Sequence, residues 1–171
     1  MTVPTARTAA DARRVLAQVT DPEIPVLTIE DLGVLRDVSV ERAADGDRVV
    51  VTVTPTYSGC PAMDEIRADV ETALRRAGFT DVEVRTVLSP AWTTDWMTDD
   101  GRRKLREFGI APPGRRDAGP VLVPLGRRPA VACPQCGSAD TEELTRFAST
   151  SCKSMWRCRT CREPFDHFKA H

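Results

Sequence analysis

Apolar side chains first recur at helical spacing over Thr8–Val19, where Ala12, Val15, Leu16 and Val19 share one face and Arg13 and Arg14 point away. Asp21-Pro22-Glu23-Ile24-Pro25 breaks that helix, because two prolines so close together force an extended, defined loop. From Gly33 to Glu41 the period drops to two, with Val34, Arg36, Val38 and Val40 on one side. Ala44-Asp45-Gly46-Asp47 reads as a turn and Arg48–Thr54 as a β-branched strand, so an antiparallel hairpin is expected. Thr54–Pro61 then forms a loop that enters a longer helix, with Met63, Ile66, Val70, Ala73, Leu74 and Ala77 as its apolar face. Pro61 suits its first position and Gly78 its C-terminal cap. A third strand is expected over Val82–Leu88, and a loop carrying Trp92 and Trp96 follows it. A short helix then runs from about Asp99 to Phe108 and is closed by Gly109. Ala111–Pro129, dense in proline and glycine, reads as a linker in which Val121–Leu125 could dock as a short strand.

This order predicts an α+β chain. A domain at 8–110 with a small three-strand sheet and packed helices precedes a linker at 111–129 and a small β module at 130–171. The 171 residues suit one small domain plus a metal-stapled module. Charge divides with it: residues 1–114 hold 14 basic and 19 acidic side chains, residues 115–171 hold 10 and 6. The tail is only mildly basic, less so than a nucleic-acid binder's usual patch. Met1–Arg14 lacks the apolar run of a signal peptide, and no segment is apolar and long enough to span a membrane, so a cytoplasmic protein is expected. Thiols stay reduced there, and paired CxxC spacings point to metal or redox chemistry rather than disulfides.

Two such pairs stand in the tail, Cys133-Pro134-Gln135-Cys136 and Cys158-Arg159-Thr160-Cys161. Each turns two sulfurs towards one ion, and together they complete a tetrahedral shell, which is typically a structural zinc site. The 21 residues between Cys136 and Cys158 leave room for a hairpin, with strands over Glu142–Phe147 and Ser154–Arg157. Cys-Pro-x-Cys-Gly also occurs in single-iron sites, so spacing leaves zinc and iron both open. Cys152 fits three roles: a replacement ligand, a nearby fifth thiol, or a small buried apolar residue. His167 and His171, four apart, could share a helical face and add to a metal site, or be solvated at the chain end.

Cys60 falls just before Pro61, at the start of the longest helix, where unpaired N–H groups would lower a thiol's pKa. Gly59 beside it would permit a close backbone approach. Cys60 is thus either a thiolate nucleophile or metal ligand, or a packing residue of the cap. Asp21 and Glu23 are either its companions or the acids of a solvated turn. Trp92 and Trp96 are either partner contacts or core plugs.

Asp21-Pro22-Glu23-Ile24-Pro25, Asp31-Leu32-Gly33 and Thr54–Pro61 with Gly59-Cys60-Pro61 resemble the SufT-like (MIP-type) family of iron–sulfur assembly domains, over roughly residues 8–110. With Trp92-Thr93-Thr94-Asp95-Trp96 and the four-cysteine tail, including Ser149–Lys153 and Glu163-Pro164-Phe165-Asp166, the whole chain resembles the PaaD family of phenylacetate-degradation systems. That resemblance implies a compact SufT-like domain followed by a zinc-ribbon-like module. It also implies a role with the multicomponent 1,2-phenylacetyl-CoA epoxidase, helping its reductase component gain an iron–sulfur cluster. Cys60 would be the thiol that transiently holds iron or a cluster, with Asp21 and Glu23 beside it, and a homodimer could pair two Cys60 side chains. Relatives often carry a further cysteine near the C-terminus, where this chain has Lys169-Ala170-His171. The chain has no phosphate-cradling glycine fingerprint, no ExxH diiron pair and no nucleophile–histidine constellation, which fits a non-catalytic factor. The rival expectations are a stoichiometric structural subunit of the oxygenase complex and, below it, a zinc-ribbon nucleic-acid binder.

Overall fold

Thr8 opens the first helix, α1 (Ala9–Leu16), in a computed structural model that describes residues 8–43, 46–114 and 131–170. The Thr8 hydroxyl accepts from Asp11 N–H at 3.2 Å and the Asp11 carboxylate accepts from Thr8 N–H at 2.9 Å, a reciprocal cap. The helix ends short of Val19 because Gln18 and Val19 donate to the carbonyls of Val15 and Leu16, tightening the last turn. The linker from residue 115 onward with Val121–Leu125, the turn residues Ala44 and Asp45, and His171 lie outside the described residues.

The chain is α+β and divides into two units. One runs to Trp92 and takes in Trp96–Thr98; the other holds Thr93–Asp95 and the residues from Asp99 onward. In the first unit, β1 (Leu35–Ala43) pairs antiparallel with β2 (Gly46–Val53), which pairs parallel with β3 (Asp81–Thr86), in the order β1-β2-β3. The parallel step needs a crossover, supplied by α2 (Ala62–Arg76). Met63, Ile66, Val70 and Leu74 on α2 are buried. At its end Gly78, at φ +87°, and Phe79 donate back to Arg75 and Leu74.

The alternation expected over Gly33–Glu41 is broken by a bulge between Leu35 and Asp37. Val34, Leu35 and Val38 therefore go inside and Arg36 comes out. Its guanidinium lies 3.4 Å from the centre of the Trp96 ring. Gly33 takes φ +70°, and a Cβ there would sit 2.7 Å from the Trp96 Cβ. Trp92 is buried and its indole N–H donates to the Leu32 carbonyl at 2.9 Å, so this side chain plugs the core of its unit.

The second unit contains α3 (Asp99–Glu107) and a four-stranded sheet. Its strands are β4 (Ile110–Ala111), β5 (Thr141–Thr145), β6 (Lys153–Cys158) and β7 (Pro164–Phe168), in the order β4-β7-β6-β5. The β5–β6 hairpin lies between the cysteine pairs as the spacing predicts; β7 and β4 enlarge it. Ile110 and Ala111 run parallel to Asp166 and His167, so β4 belongs with the tail rather than with the N-terminal elements. Arg102 of α3 is buried and donates to the carbonyls of Thr94 at 2.5 Å and Pro113 at 2.7 Å. Ala111, Cys133, Trp156, Cys158 and Phe165 form a continuous apolar core. Among the described residues no helix is long and apolar enough to cross a membrane.

Candidate functional site

The sequence places chemistry in two regions, one in each unit. In the second unit the knuckles fold alike. Cys133 N–H donates to the Ser138 carbonyl and Gly137 N–H to the Cys133 carbonyl, both at 2.9 Å. In the other knuckle Cys158 N–H donates to Glu163 and Arg162 N–H to Cys158, both at 3.0 Å. Each loop turns tightly enough to aim both of its sulfurs the same way. The sulfurs of Cys133 and Cys161 stand 3.7 Å apart and those of Cys136 and Cys158 3.6 Å apart, and all four lie within 4.8 Å of one another. A tetrahedral ion with metal–sulfur bonds of about 2.3 Å would set its ligands about 3.8 Å apart, so the cluster fits one such ion.

Two of these thiols are pulled in opposite directions. Backbone N–H groups of Cys161 and Thr160 point at the Cys158 sulfur, whose pKa falls to about 6. The Cys161 sulfur is favoured by the Glu163 N–H, yet burial and the neighbouring sulfurs push it up to about 12. Four thiolates this close cannot all ionise without a cation to hold them.

Cys152 lies outside this cluster. It is buried, and its sulfur is 3.0 Å from the Thr150 hydroxyl. His167 stands on β7, not on a helix, because residues 164–168 pair along β6. Its ring meets Trp156 edge-on at 5.8 Å, with Nδ1 3.4 Å from the Ser154 hydroxyl, and burial pushes its pKa down to about 4.

In the first unit Cys60 is half-buried at the start of α2. Its N–H donates to Tyr57 and its carbonyl accepts from Met63. The expected depression of its pKa is reversed: burial pushes the thiol above its ordinary value. The Ala62 N–H counteracts this, Glu23 and Asp21 add to the rise, and the Tyr57 side chain opposes it. The helix start does favour the thiolate, but loss of water and two nearby carboxylates outweigh it. The charges of Glu23 and Asp21 thus reach Cys60 across more than thirty residues of sequence, although among the described residues only the four ribbon cysteines converge closely enough to ligate one ion.

Asp21 is buried, and its Oδ1 accepts from the N–H groups of Glu23 at 2.9 Å and Ile24 at 2.7 Å. It therefore shapes the loop that carries Glu23. Tyr57 was missed in the sequence; the signal was the chain's single tyrosine three residues before the cysteine. Gly59 gives no close approach, since a Cβ there would meet open space.

Comparison with known proteins adds to this geometry. A family model described as iron–sulfur cluster assembly protein matches residues 9–86, and one described as PaaD zinc beta ribbon domain matches residues 117–169. A protein of Escherichia coli (strain K12) named as one of the subunits of 1,2-phenylacetyl-CoA epoxidase is 49% identical over 154 residues, spanning 90% of this chain and 88% of that protein. An Fe-S protein maturation auxiliary factor of Porphyromonas gingivalis (strain ATCC BAA-308 / W83) is 38% identical over 100 residues, 58% of this chain and 91% of its own length. Among solved structures, a domain of unknown function (DUF59) from Bacillus anthracis matches with a TM-score of 0.51 and 28% identity. The match covers 57% of this chain and 90% of that one.

Proposed function

The chain belongs to the PaaD family, a SufT-like iron–sulfur assembly domain joined to a zinc ribbon, and from that premise we propose that it is a non-catalytic maturation factor for 1,2-phenylacetyl-CoA epoxidase. Its task is to help the reductase component acquire an iron–sulfur cluster, with iron or the cluster as cargo at Cys60.

The observation that carries this reading is the set around that thiol: Cys60 with Glu23, Asp21 and Tyr57. Carboxylates that oppose a thiolate attract a cation by the same field. Arrival of iron would displace the thiol proton and relieve the repulsion between the thiolate and these carboxylates. The Ala62 N–H and Tyr57 orient the sulfur, and Asp21 holds the loop that presents Glu23. One half-buried thiol suits passing a cargo on more than storing it.

The ribbon's role is architectural. Cys133, Cys136, Cys158 and Cys161 would hold zinc, which supplies folding energy to a module whose core includes two of those cysteines. A second reading, a stoichiometric structural subunit of the epoxidase, is favoured by the Escherichia coli relative, whose name makes it a subunit. Nucleic-acid binding has less support, since Arg157 and Arg159 are both engaged by Glu142. The test is to produce the reductase with and without this protein and assay its iron and acid-labile sulfide. Full occupancy in both would refute the maturation role, and co-purification with active epoxidase at fixed ratio would favour the subunit.

A further inference from the structure

One exposed apolar surface belongs to neither site. In the β5–β6 hairpin the register slips between Glu143 and Thr145, so Leu144 and Thr145 together stand opposite Met155. Leu144 and Met155 are 49% and 37% exposed. Phe147, in the turn that follows, is 65% exposed. That turn is ordered around it: the Thr145 hydroxyl donates to the Phe147 carbonyl at 3.1 Å and accepts its N–H at 3.3 Å. The Lys169 ammonium lies 4.6 Å from the centre of the Phe147 ring and donates to the Arg146 carbonyl at 3.2 Å.

The module's core is built from other side chains, so its fold does not explain this exposure. Three large apolar groups held out by one small hairpin form a patch of the kind that meets a partner. Its electrostatics narrow the partner's chemistry. Two acids of this hairpin and its neighbour β7 are already paired, Glu142 with Arg157 and Arg159 and Asp166 with Lys153 at 3.2 Å. Arg146 and Lys169, at the rim, have no carboxylate partner among the described residues. Among the described strands β5 is also an edge, with backbone groups available for an added strand.

We propose that Leu144, Phe147 and Met155 dock a segment of the client protein that carries apolar side chains beside carboxylates, with Lys169 and Arg146 facing those carboxylates. This rests on the maturation reading and assigns the ribbon the task of recognising the client while Cys60 handles the cargo.

The test is to place p-benzoylphenylalanine at position 147 of the full-length protein and irradiate it with the purified reductase and oxygenase components of the epoxidase. The expected cross-link falls on an acidic, apolar segment of the reductase. Phe147→Ser and Lys169→Glu should each weaken binding at least tenfold while metal content stays unchanged. Cross-linking to the oxygenase alone, to a second copy, to residues 115–130 of the same chain or to neither component would overturn the proposal, as would unchanged affinity in both variants. Reductase loading separates the two claims. Normal loading by the patch variants with none by Cys60→Ala removes the docking surface alone. Normal loading by Cys60→Ala removes the maturation reading.

Discussion

Gly137 and Arg162 take the same backbone conformation at the same place in the two cysteine knuckles, with φ at +74° and +71°. Each donates its N–H to the carbonyl of the cysteine four residues before it. The left-handed conformation is open to glycine and costs an L-residue about 1–2 kcal/mol. The two positions should therefore respond in opposite ways. Gly137→Ala is expected to destabilise the metal-loaded ribbon by about 1 kcal/mol, and Arg162→Gly to leave its stability unchanged or raise it. Chelator competition on the two variants checks both signs. Equal weakening by both would mean that Arg162 is held by something other than the turn.

Gly33 offers a harsher test of the first unit. Its positive φ and the Trp96 backbone packed against it leave no room for a side chain. Gly33→Ala should lower stability by at least about 2 kcal/mol, the strain of the conformation and the overlap acting together. Thermal melting followed by tryptophan fluorescence reads this, and an unchanged midpoint would contradict the packing described.

Cys60 should behave as a slow thiol. With burial, Glu23 and Asp21 raising its pKa, it should alkylate more slowly at pH 8 than a free cysteine. Glu23→Gln removes one of the charges, so its pKa should fall and its reaction speed up. The readout is the pH profile of iodoacetamide modification, located by mass spectrometry. A profile unmoved by Glu23→Gln would show that the carboxylate does not act on the thiol.

His167 links stability of the ribbon to pH. Burial depresses its folded pKa to about 4, below the ordinary value of about 6.5. The unfolded chain therefore binds the extra proton first. The stability that comes from a neutral His167 is present above about pH 6.5 and is lost as pH falls towards 4. Low pH also protonates the cysteine ligands, so the measurement is the difference between wild type and His167→Gln. The variant should show the shallower loss between pH 6.5 and 4, and parallel curves would contradict the half-buried neutral ring.

The ribbon was the most legible part of the chain, because ligand spacing is local. Cys133, Cys136, Cys158 and Cys161 converge as their spacing predicts, with the hairpin between them. The helices and three N-terminal strands were legible from period and caps. Less legible were elements that depend on distant partners. β4 is two residues long and exists only through pairing with β7, and the pairing of β7 with β6 is what puts His167 in a sheet. The bulge at Leu35 sends Arg36 outward to Trp96, against the simple alternation. For Cys60 the helix-start argument gave the opposite sign, since it could not include the burial and the two carboxylates brought from another loop.

The central claim is that Cys60 handles cargo for a client. Its most direct test is the iron and acid-labile sulfide content of the reductase component matured in cells carrying either the wild-type chain or Cys60→Ala. The account predicts a folded variant with unchanged ribbon metal and a reductase depleted of cluster. A fully loaded reductase beside Cys60→Ala would contradict it.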